Sequence, residues 1–384
     1  MKIRMTTPLL VTISLLAAAF STGSPVFLAA SLLLIGLMGS SVLGVWLAAR
    51  SLTISGGLED HTVNRGEDVT LDITVRHRGF IPIAPLALEM TATPDLPEQT
   101  LHVDASPGHD ARVTLPFHAS HVGVSAPGVK AVTVSDLFGF VSVRKTPQLR
   151  GGELLVLPLP FEVEGLYYAA GDSDAETMAR ATEDITSPAD VRTYQQGDAM
   201  KKIHWKLSMR KQELLVRRFE EPVLPDALVL MDCSAPPGQS SPEAEADLRD
   251  ALLETTASVM QQAMATDHAA RIPLYGEHPM ELEKAMGLPM ILESLARVDF
   301  TASDRFERVL LLEMRRMRKV GCTVIIAARL NSRMVDVMMG MRRMGPYVRL
   351  YLVTHTPEDD QFMAMISKLQ FAGVEVCYVK PVAL

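Results

Sequence analysis

Two short segments of the 384-residue chain carry side chains that could do chemistry. In the first, His204 and Ser208 are four residues apart, so on a helix they share one face and could act as base and nucleophile. In the second, Asp232 and Ser234 follow an apolar run, and their oxygens could bind a divalent cation such as magnesium. These segments therefore have three alternative interpretations: nucleophilic catalysis, cation binding and a structural role.

Catalysis by His204 and Ser208 lacks the residues that normally support it. No GxSxG turn surrounds Ser208, and no third group is evident that would orient His204. We therefore expect a non-enzymatic protein in which Ile203 and Trp205 anchor a short helix. A hydrogen-bonded polar cluster is expected beside that helix, formed by Arg192, Asp198, His204 and Arg210.

The same segment is strongly basic, although the whole chain has a net charge of −8. Between Arg192 and Arg218 there are eight Lys or Arg residues and two acids. Tyr194 and Trp205 are too few aromatic residues for a stacking platform, so nucleic acid is excluded as a partner. Asp198 after Gly197 predicts the start of a helix that runs to Arg210, and a strand is predicted from residue 213 to 219.

The segment resembles the bacterial family known as domain of unknown function 58. The resemblance rests on three short patterns: Arg-x-Tyr-x-x-Gly-Asp, Ile-His-Trp-Lys-x-Ser-x-Arg and Leu-x-Val-Arg-x-Phe-Glu. The signature residues that we single out are Arg192, Tyr194, Gly197, Asp198, His204, Trp205, Lys206, Ser208, Arg210, Arg217 and Glu220. The resemblance implies two membrane helices, a β-rich segment and a C-terminal von Willebrand A-like domain. It also implies a MoxR-type AAA ATPase as a protein partner.

The resemblance provides a metal-binding pattern with which Asp232 and Ser234 can be compared. A von Willebrand A domain with a working metal site would read Asp-x-Ser-x-Ser, but Pro236 stands at the final serine position. After the later apolar strand the chain has Arg329 rather than an aspartate. Because hard divalent cations need several oxygen ligands, we expect a degenerate loop and no cofactor. A magnesium-dependent binder remains the alternative.

The elements that must position these residues are predicted from hydropathy patterning. Residues 226–384 alternate apolar strands with helices, which is typical of a Rossmann-type α/β domain with a parallel sheet. Helices are expected around residues 280–297 and 303–319. Residues 51–160 carry short period-two runs between Gly and Pro turns, which favours an antiparallel β-sandwich. Residues 161–225 are predicted as a polar connector that ends in the signature.

Residues 1–50 are predicted to form a transmembrane helical hairpin. From residue 5 to residue 49 there is no charged side chain, which is enough for two crossings that turn at Gly23-Ser24-Pro25. Lys2, Arg4 and Arg50 flank the hairpin, so the positive-inside tendency predicts a two-pass protein of the cell membrane with residues 51–384 in the cytoplasm. A signal peptide followed by one span is the alternative.

These inferences predict a membrane-anchored, non-enzymatic scaffold or adaptor that presents cytoplasmic domains to a protein partner. Besides its protein partner, it would contact the lipid bilayer. Only in the alternative function would it also bind magnesium. The rival classes are a metal-dependent binder and an enzyme that uses the region of His204 and Ser208. Three widely spaced cysteines in apolar runs predict reduced core thiols rather than a disulfide framework.

Overall fold

The computed structural model describes most of the chain as two compact units. The described residues are 2–3, 6–79, 81, 83–147, 152–167, 188–194, 200, 203–219, 226–235, 241–266, 268–275, 279–300, 305–316, 320–357 and 360–382. The first unit extends to Leu159 and includes Leu295–Arg297, and the second comprises Pro160–Ser294 and Val298–Val382.

Both apolar runs near the N-terminus form helices. Helix α1 (Thr6–Thr22) is followed by α2 (Pro25–Ser51), with Gly23 at a φ of 67° in the turn between them. That left-handed conformation suits glycine, because a side chain would be strained there. Within the described residues, α2 is the helix that is long and apolar enough to cross a membrane, whereas α1 is shorter.

The remainder of the first unit is built from short strands. Their bounds are β1 (Lys2–Ile3), β2 (Leu52–Leu58), β3 (Thr62–Asn64), β4 (Asp68–His77), β5 (Leu86–Met90), β6 (Thr100–Val103), β7 (Asp110–His118), β8 (Gly123–Ser125), β9 (Val129–Ser135), β10 (Val141–Lys145) and β11 (Leu154–Leu157). They form sheets in the orders β1-β10-β9-β5-β6, β2-β4-β7 and β3-β11-β8. Pairing is antiparallel except between β11 and β3, which departs from the purely antiparallel arrangement expected.

One apolar core joins these sheets to the end of α2. Ile73 of β4, Leu88 of β5 and Val134 of β9 are buried in it, as their period-two spacing predicts. Val45 and Ala48 of α2 belong to the same core. Before the helix pair in the chain, β1 adds to the edge of β10. Both ends of the α1–α2 pair are therefore tied to this β domain.

The second unit contains a six-stranded sheet flanked by helices. Its strands are β14 (Asp226–Met231), β15 (Ala270–Leu274), β16 (Met280–Glu283), β17 (Val320–Ala327), β18 (Tyr347–Val353) and β19 (Glu375–Val379), in the order β16-β15-β14-β17-β18-β19. Its helices, numbered after the signature helix α3 (Trp205–Lys211), are α4 (Pro242–Met264), α5 (Leu288–Ala296), α6 (Phe306–Met314), α7 (Ser332–Arg343) and α8 (Asp360–Phe371). This is the Rossmann-type strand order 3-2-1-4-5-6.

The sheet differs from the prediction at one edge. Residues 280–283 were expected to be helical, but they form β16, which runs antiparallel to β15. The physical reason is that Met-Glu-Leu-Glu alternates in polarity and buries Leu282 against the sheet, while Arg271 pairs with Glu281 across the two strands. The remaining strands of the sheet are parallel, as expected.

Candidate functional site

The strand order places a topological switch point between β14 and β17. From β14 the chain first adds strands on one side and then crosses to β17 on the other. Ligands of open α/β sheets bind outside the carboxyl ends of the strands at such a point. Met231 and Ile326 are register partners there, so the loops that begin at Asp232 and Ala328 face each other. This edge is the candidate site.

Asp232 lies at the centre of the candidate site and is only 2% exposed. Its Oδ1 accepts a hydrogen bond from the Ser234 amide at 3.0 Å and another from the Ser234 hydroxyl. Its Oδ2 accepts a hydrogen bond from Arg329 Nε at 3.0 Å. The structure thus brings together the two residues that the sequence assigned to a metal, and both carboxylate oxygens already have partners.

Arg329 closes the cluster from the β17 side. Its Nη2 donates to Ser234 Oγ at 2.5 Å and to the Ala235 carbonyl at 2.6 Å. A guanidinium group, fixed by three hydrogen bonds, therefore supplies the positive charge that a bound cation would supply. Asp232 and Ser234 do not fit a magnesium ion while Arg329 holds their oxygens.

The thiol beside Asp232 is not a candidate nucleophile. Burial, reinforced by the negative charge of Asp232, raises the pKa of Cys233 from its ordinary value of 9.0 to about 12. Its Sγ lies 3.6 Å from the Met231 carbonyl. Since the thiolate is the reactive form, this cysteine is inert near neutral pH. The expectation of a reduced core thiol agrees with its burial.

Other polar groups at this sheet edge serve the backbone. Asn331 caps α7, with its Oδ1 accepting from the Met334 amide at 2.9 Å. His355, after β18, places Nε2 3.2 Å from the Ala244 carbonyl. These contacts fix the loops around Asp232 and leave both side chains committed to the fold.

The signature forms a strand pair with a short helix between its strands. Strand β12 (Pro188–Thr193) runs antiparallel to β13 (Leu215–Phe219), and Arg192 and Arg217 lie on these strands. Tyr194 continues the ladder by donating its amide to the Leu214 carbonyl at 2.8 Å. The side chains of Arg192 and Arg217, and the whole of Gly197, Asp198 and Glu220, lie outside the described residues.

His204 and Ser208 are both used by the backbone around them. His204 is the N-cap of α3, and its Nδ1 accepts from the Leu207 amide at 3.3 Å. The helix was expected to start at Asp198, which lies outside the described residues; within them, α3 starts at Trp205. Ser208 is buried, and its Oγ accepts from the Leu215 amide at 2.9 Å. The hydroxyl thus connects α3 to β13.

Trp205 does not anchor the helix, contrary to the expectation, because it is 57% exposed. Helix α3 is about two turns long and directs Ser208 toward β13, while the buried Ile203 precedes it. The side chains of Lys206 and Arg210 are exposed as well. Among the described residues no hydrogen bond joins Arg210 to His204, so the expected polar cluster is not seen in the part of the chain that the structure describes.

Two buried charged groups were missed by the sequence analysis. Glu313 of α6 is fully buried, and it accepts hydrogen bonds from Arg271 at 2.9 Å and from the Tyr275 hydroxyl at 2.5 Å. Arg349 of β18 is fully buried and bonds to Glu375 and to the Glu164 carbonyl. The available signal in the sequence was a single arginine within each apolar strand, Arg271 in β15 and Arg349 in β18. A charge at such a position is almost always paired when it is buried, so each arginine predicted an acidic partner. Both networks hold the fold together.

The fold and the site define a multidomain protein of mixed α/β architecture with an apolar N-terminal helix and a closed polar cluster at its sheet switch point. Residues 190–285 match the model of the family described as protein of unknown function DUF58, which confirms the resemblance of this part of the chain to that family. The matched range contains the signature hairpin, Asp232 and β15. A search of curated proteins finds no match.

Comparison with solved structures gives only distant likenesses. Spo0M, a sporulation control protein from Bacillus subtilis, is 14% identical at a TM-score of 0.16, with 38% of this chain and 58% of Spo0M covered. Cwp6 from Clostridium difficile is 9% identical at a TM-score of 0.18, with 85% of this chain and 53% of Cwp6 covered. The chain thus spans little more than half the length of either structure. TM-scores this low do not indicate a shared fold.

Proposed function

We propose that this protein is a membrane-anchored, non-enzymatic scaffold that presents its β domain and its von Willebrand A-like α/β domain to a protein partner. The observation that carries the proposal is the exposed apolar surface of α1 and α2. Leu10 and Phe20 of α1 and Val26 and Leu33 of α2 are among the large apolar side chains that face outward. Apolar surface that is exposed to this extent favours contact with lipid.

The ties at both ends of the helix pair support a two-pass topology. Because β1 precedes α1 and Ala48 lies in the last turn of α2, and both join the β domain, the two helices leave that domain and return to it. A hairpin of this kind keeps both ends on one side of the bilayer. By the positive-inside tendency, Lys2 and Arg50 favour the cytoplasm as that side.

The C-terminal end of α2 carries the kinds of side chain that are expected at a membrane–water boundary. The Arg50 guanidinium lies 4.3 Å from the centroid of the Trp46 ring. Trp and Arg are typical of the headgroup region, where an aromatic ring and a charge both find partners. Lys145 of the β domain also donates to the Ala49 carbonyl at 3.3 Å, near the C-terminus of α2.

The switch-point cluster supports a scaffold over the two rival classes. A metal-dependent binder would need the oxygens of Asp232 and Ser234, which bond to Arg329. An enzyme that uses His204 and Ser208 would need side chains that cap α3 and bond to β13. The family resemblance supplies the identity of the proposed partner, a MoxR-type AAA ATPase.

Two experiments test the proposal. An alkaline phosphatase fusion at residue 55 should be inactive, while a fusion of a cytoplasmic reporter at the same residue should be active. Alkaline phosphatase activity there would overturn the topology. Crosslinking of the full chain in native membranes, followed by mass spectrometry, should recover a AAA ATPase, and recovery of substrate-like small molecules or turnover by the purified chain would favour an enzyme.

A further inference from the structure

The loop between β9 and β10 exposes apolar side chains at its tip. Leu137 is 61% exposed and Phe138 is 58% exposed, and the Phe138 ring stacks on Phe140 with centroids 5.6 Å apart. Residues 137–143 contain no charged side chain. Adjacent large apolar residues on an exposed loop usually mark a surface that another apolar phase covers.

This loop lies alongside the part of α2 that precedes Trp46. A cavity of about 310 Å³ is lined on one side by residues 40–41 and 43–45 of α2 and on the other by residues 136–138, with Ile81 and Ile83 completing its wall. At 1.5 Å per residue, Ser41 lies about 7.5 Å along the helix from Trp46, toward the predicted membrane interior. The loop tip therefore reaches past the level of the Trp46–Arg50 pair.

Two backbone amides of the loop are hydrogen-bonded within it. The Asp136 amide donates to the Val141 carbonyl at 3.2 Å, and the Gly139 amide donates to the Asp136 carbonyl at 3.2 Å. The Asp136 carboxylate is buried at the base of the loop, where Oδ1 accepts from the Val141 amide at 2.9 Å and Oδ2 has no hydrogen-bond partner among the described residues. Polar backbone groups must be satisfied internally where water is absent.

We propose that the β9–β10 loop inserts into the lipid bilayer beside α2, so that Leu137 and Phe138 contact acyl chains and lipid fills the cavity that they line. Continuity with the exposed apolar face of α2 favours lipid as the occupant, since Leu43 of the cavity wall is itself outward-facing. The inference rests on the proposed membrane anchoring. It adds a contact that fixes the β domain against the bilayer.

Fluorescence quenching by brominated lipids tests this insertion in the full chain reconstituted into phosphatidylcholine–phosphatidylglycerol vesicles. One protein carries Trp205→Phe and reports from Trp46. A second carries Trp46→Phe, Trp205→Phe and Phe138→Trp, and a third carries Leu137→Trp in place of Phe138→Trp. The matched control places the tryptophan at Val124, an exposed apolar residue of β8, which belongs to a different sheet.

We expect strong quenching at Trp46 and at the loop tryptophans, and little quenching at position 124. Quenching at Trp46 without quenching at either loop position would overturn the insertion and leave the anchoring intact. Absence of quenching at Trp46 would overturn the anchoring as well. Loop tryptophans that are shielded from aqueous iodide but not quenched by brominated lipid would show that protein, such as a second copy, covers the loop, which also overturns the proposal.

Discussion

Removal of the Arg329 charge should destabilise the α/β domain more than removal of the Asp232 charge. Arg329→Met keeps the apolar stem and leaves a carboxylate that is 2% exposed without its cation. Breaking a buried ion pair in this way costs about 3–5 kcal/mol. Because Asp232 keeps two hydrogen bonds from Ser234, we expect the lower end, about 3 kcal/mol, or more than a hundredfold in the unfolding equilibrium.

Removal of the Asp232 charge leaves the Arg329 guanidinium without its carboxylate, but water can reach that guanidinium. The Arg329 side chain is 38% exposed, so Asp232→Asn should cost about 1–2 kcal/mol, the amount associated with one weakened charged hydrogen bond. The double variant should be more stable than Arg329→Met alone, since it no longer buries an unpaired charge. This asymmetry is a coupling that a double-mutant cycle measures.

Urea denaturation of the full chain in detergent gives the three free energies, and hydrogen exchange of β14 and β17 assigns the loss to this sheet. Equal costs for the two single variants, or a double variant less stable than Arg329→Met, would refute the reasoning. The parent protein should also melt at the same temperature in EDTA and in millimolar magnesium. A magnesium-dependent rise that disappears in Asp232→Ala would restore the metal-dependent binder, because a ligand at 100 times its dissociation constant stabilises by about 2.7 kcal/mol.

Three further predictions follow from burial. Trp205→Ala should cost less than about 1 kcal/mol because the ring is mainly exposed, whereas Ser208→Ala should cost about 1–3 kcal/mol because it strands the buried Leu215 amide; urea titrations that rank them the other way would contradict the structure. Glu313→Gln should cost about 1–2 kcal/mol by weakening the hydrogen bond from Arg271, which keeps its ion pair with Glu281, and a melting temperature equal to the parent's would disprove this. Since the raised pKa of Cys233 means that only the unfolded state releases the thiol proton between pH 9 and 12, its contribution to stability is complete below pH 9 and is lost as pH rises toward 12. Alkylation of Cys233 at pH 8 should therefore require urea, and the alkaline loss should be smaller in Cys233→Ala.

The sequence was most informative where patterning alone decides the structure. The alternation in β4 and the continuous apolar run of β17 predicted strands that the structure contains. The edge strand β16 was missed because its four residues are too few to separate a strand from the start of a helix. Its pairing with β15 decides the outcome, and that pairing is tertiary.

The site was harder to predict because its parts are distant in the chain. Arg329 was recognised as a replacement for an acidic ligand, but its bond to Asp232 depends on β14 and β17 being neighbours, and the two residues are 97 positions apart. Trp205 shows the opposite limit. Its size and apolar ring predict that Trp205 is buried. Which side chain of α3 faces β13 depends, however, on the rotation of the helix about its axis, and that rotation points Ser208 at the strand and leaves Trp205 exposed.

The pairing of β1 with β10 has a consequence for how the protein is made. Lys2 and Ser142 are register partners 140 residues apart, so at 5–20 residues per second the ribosome needs about 7–28 s to supply the second strand after the first. Throughout that interval, in which α1 and α2 are also synthesised, the β1 segment waits unpaired. An affinity tag placed directly before Lys2 would meet the open edge of the sheet just when β10 arrives, whereas a tag at the other end of the chain would leave this late assembly step undisturbed.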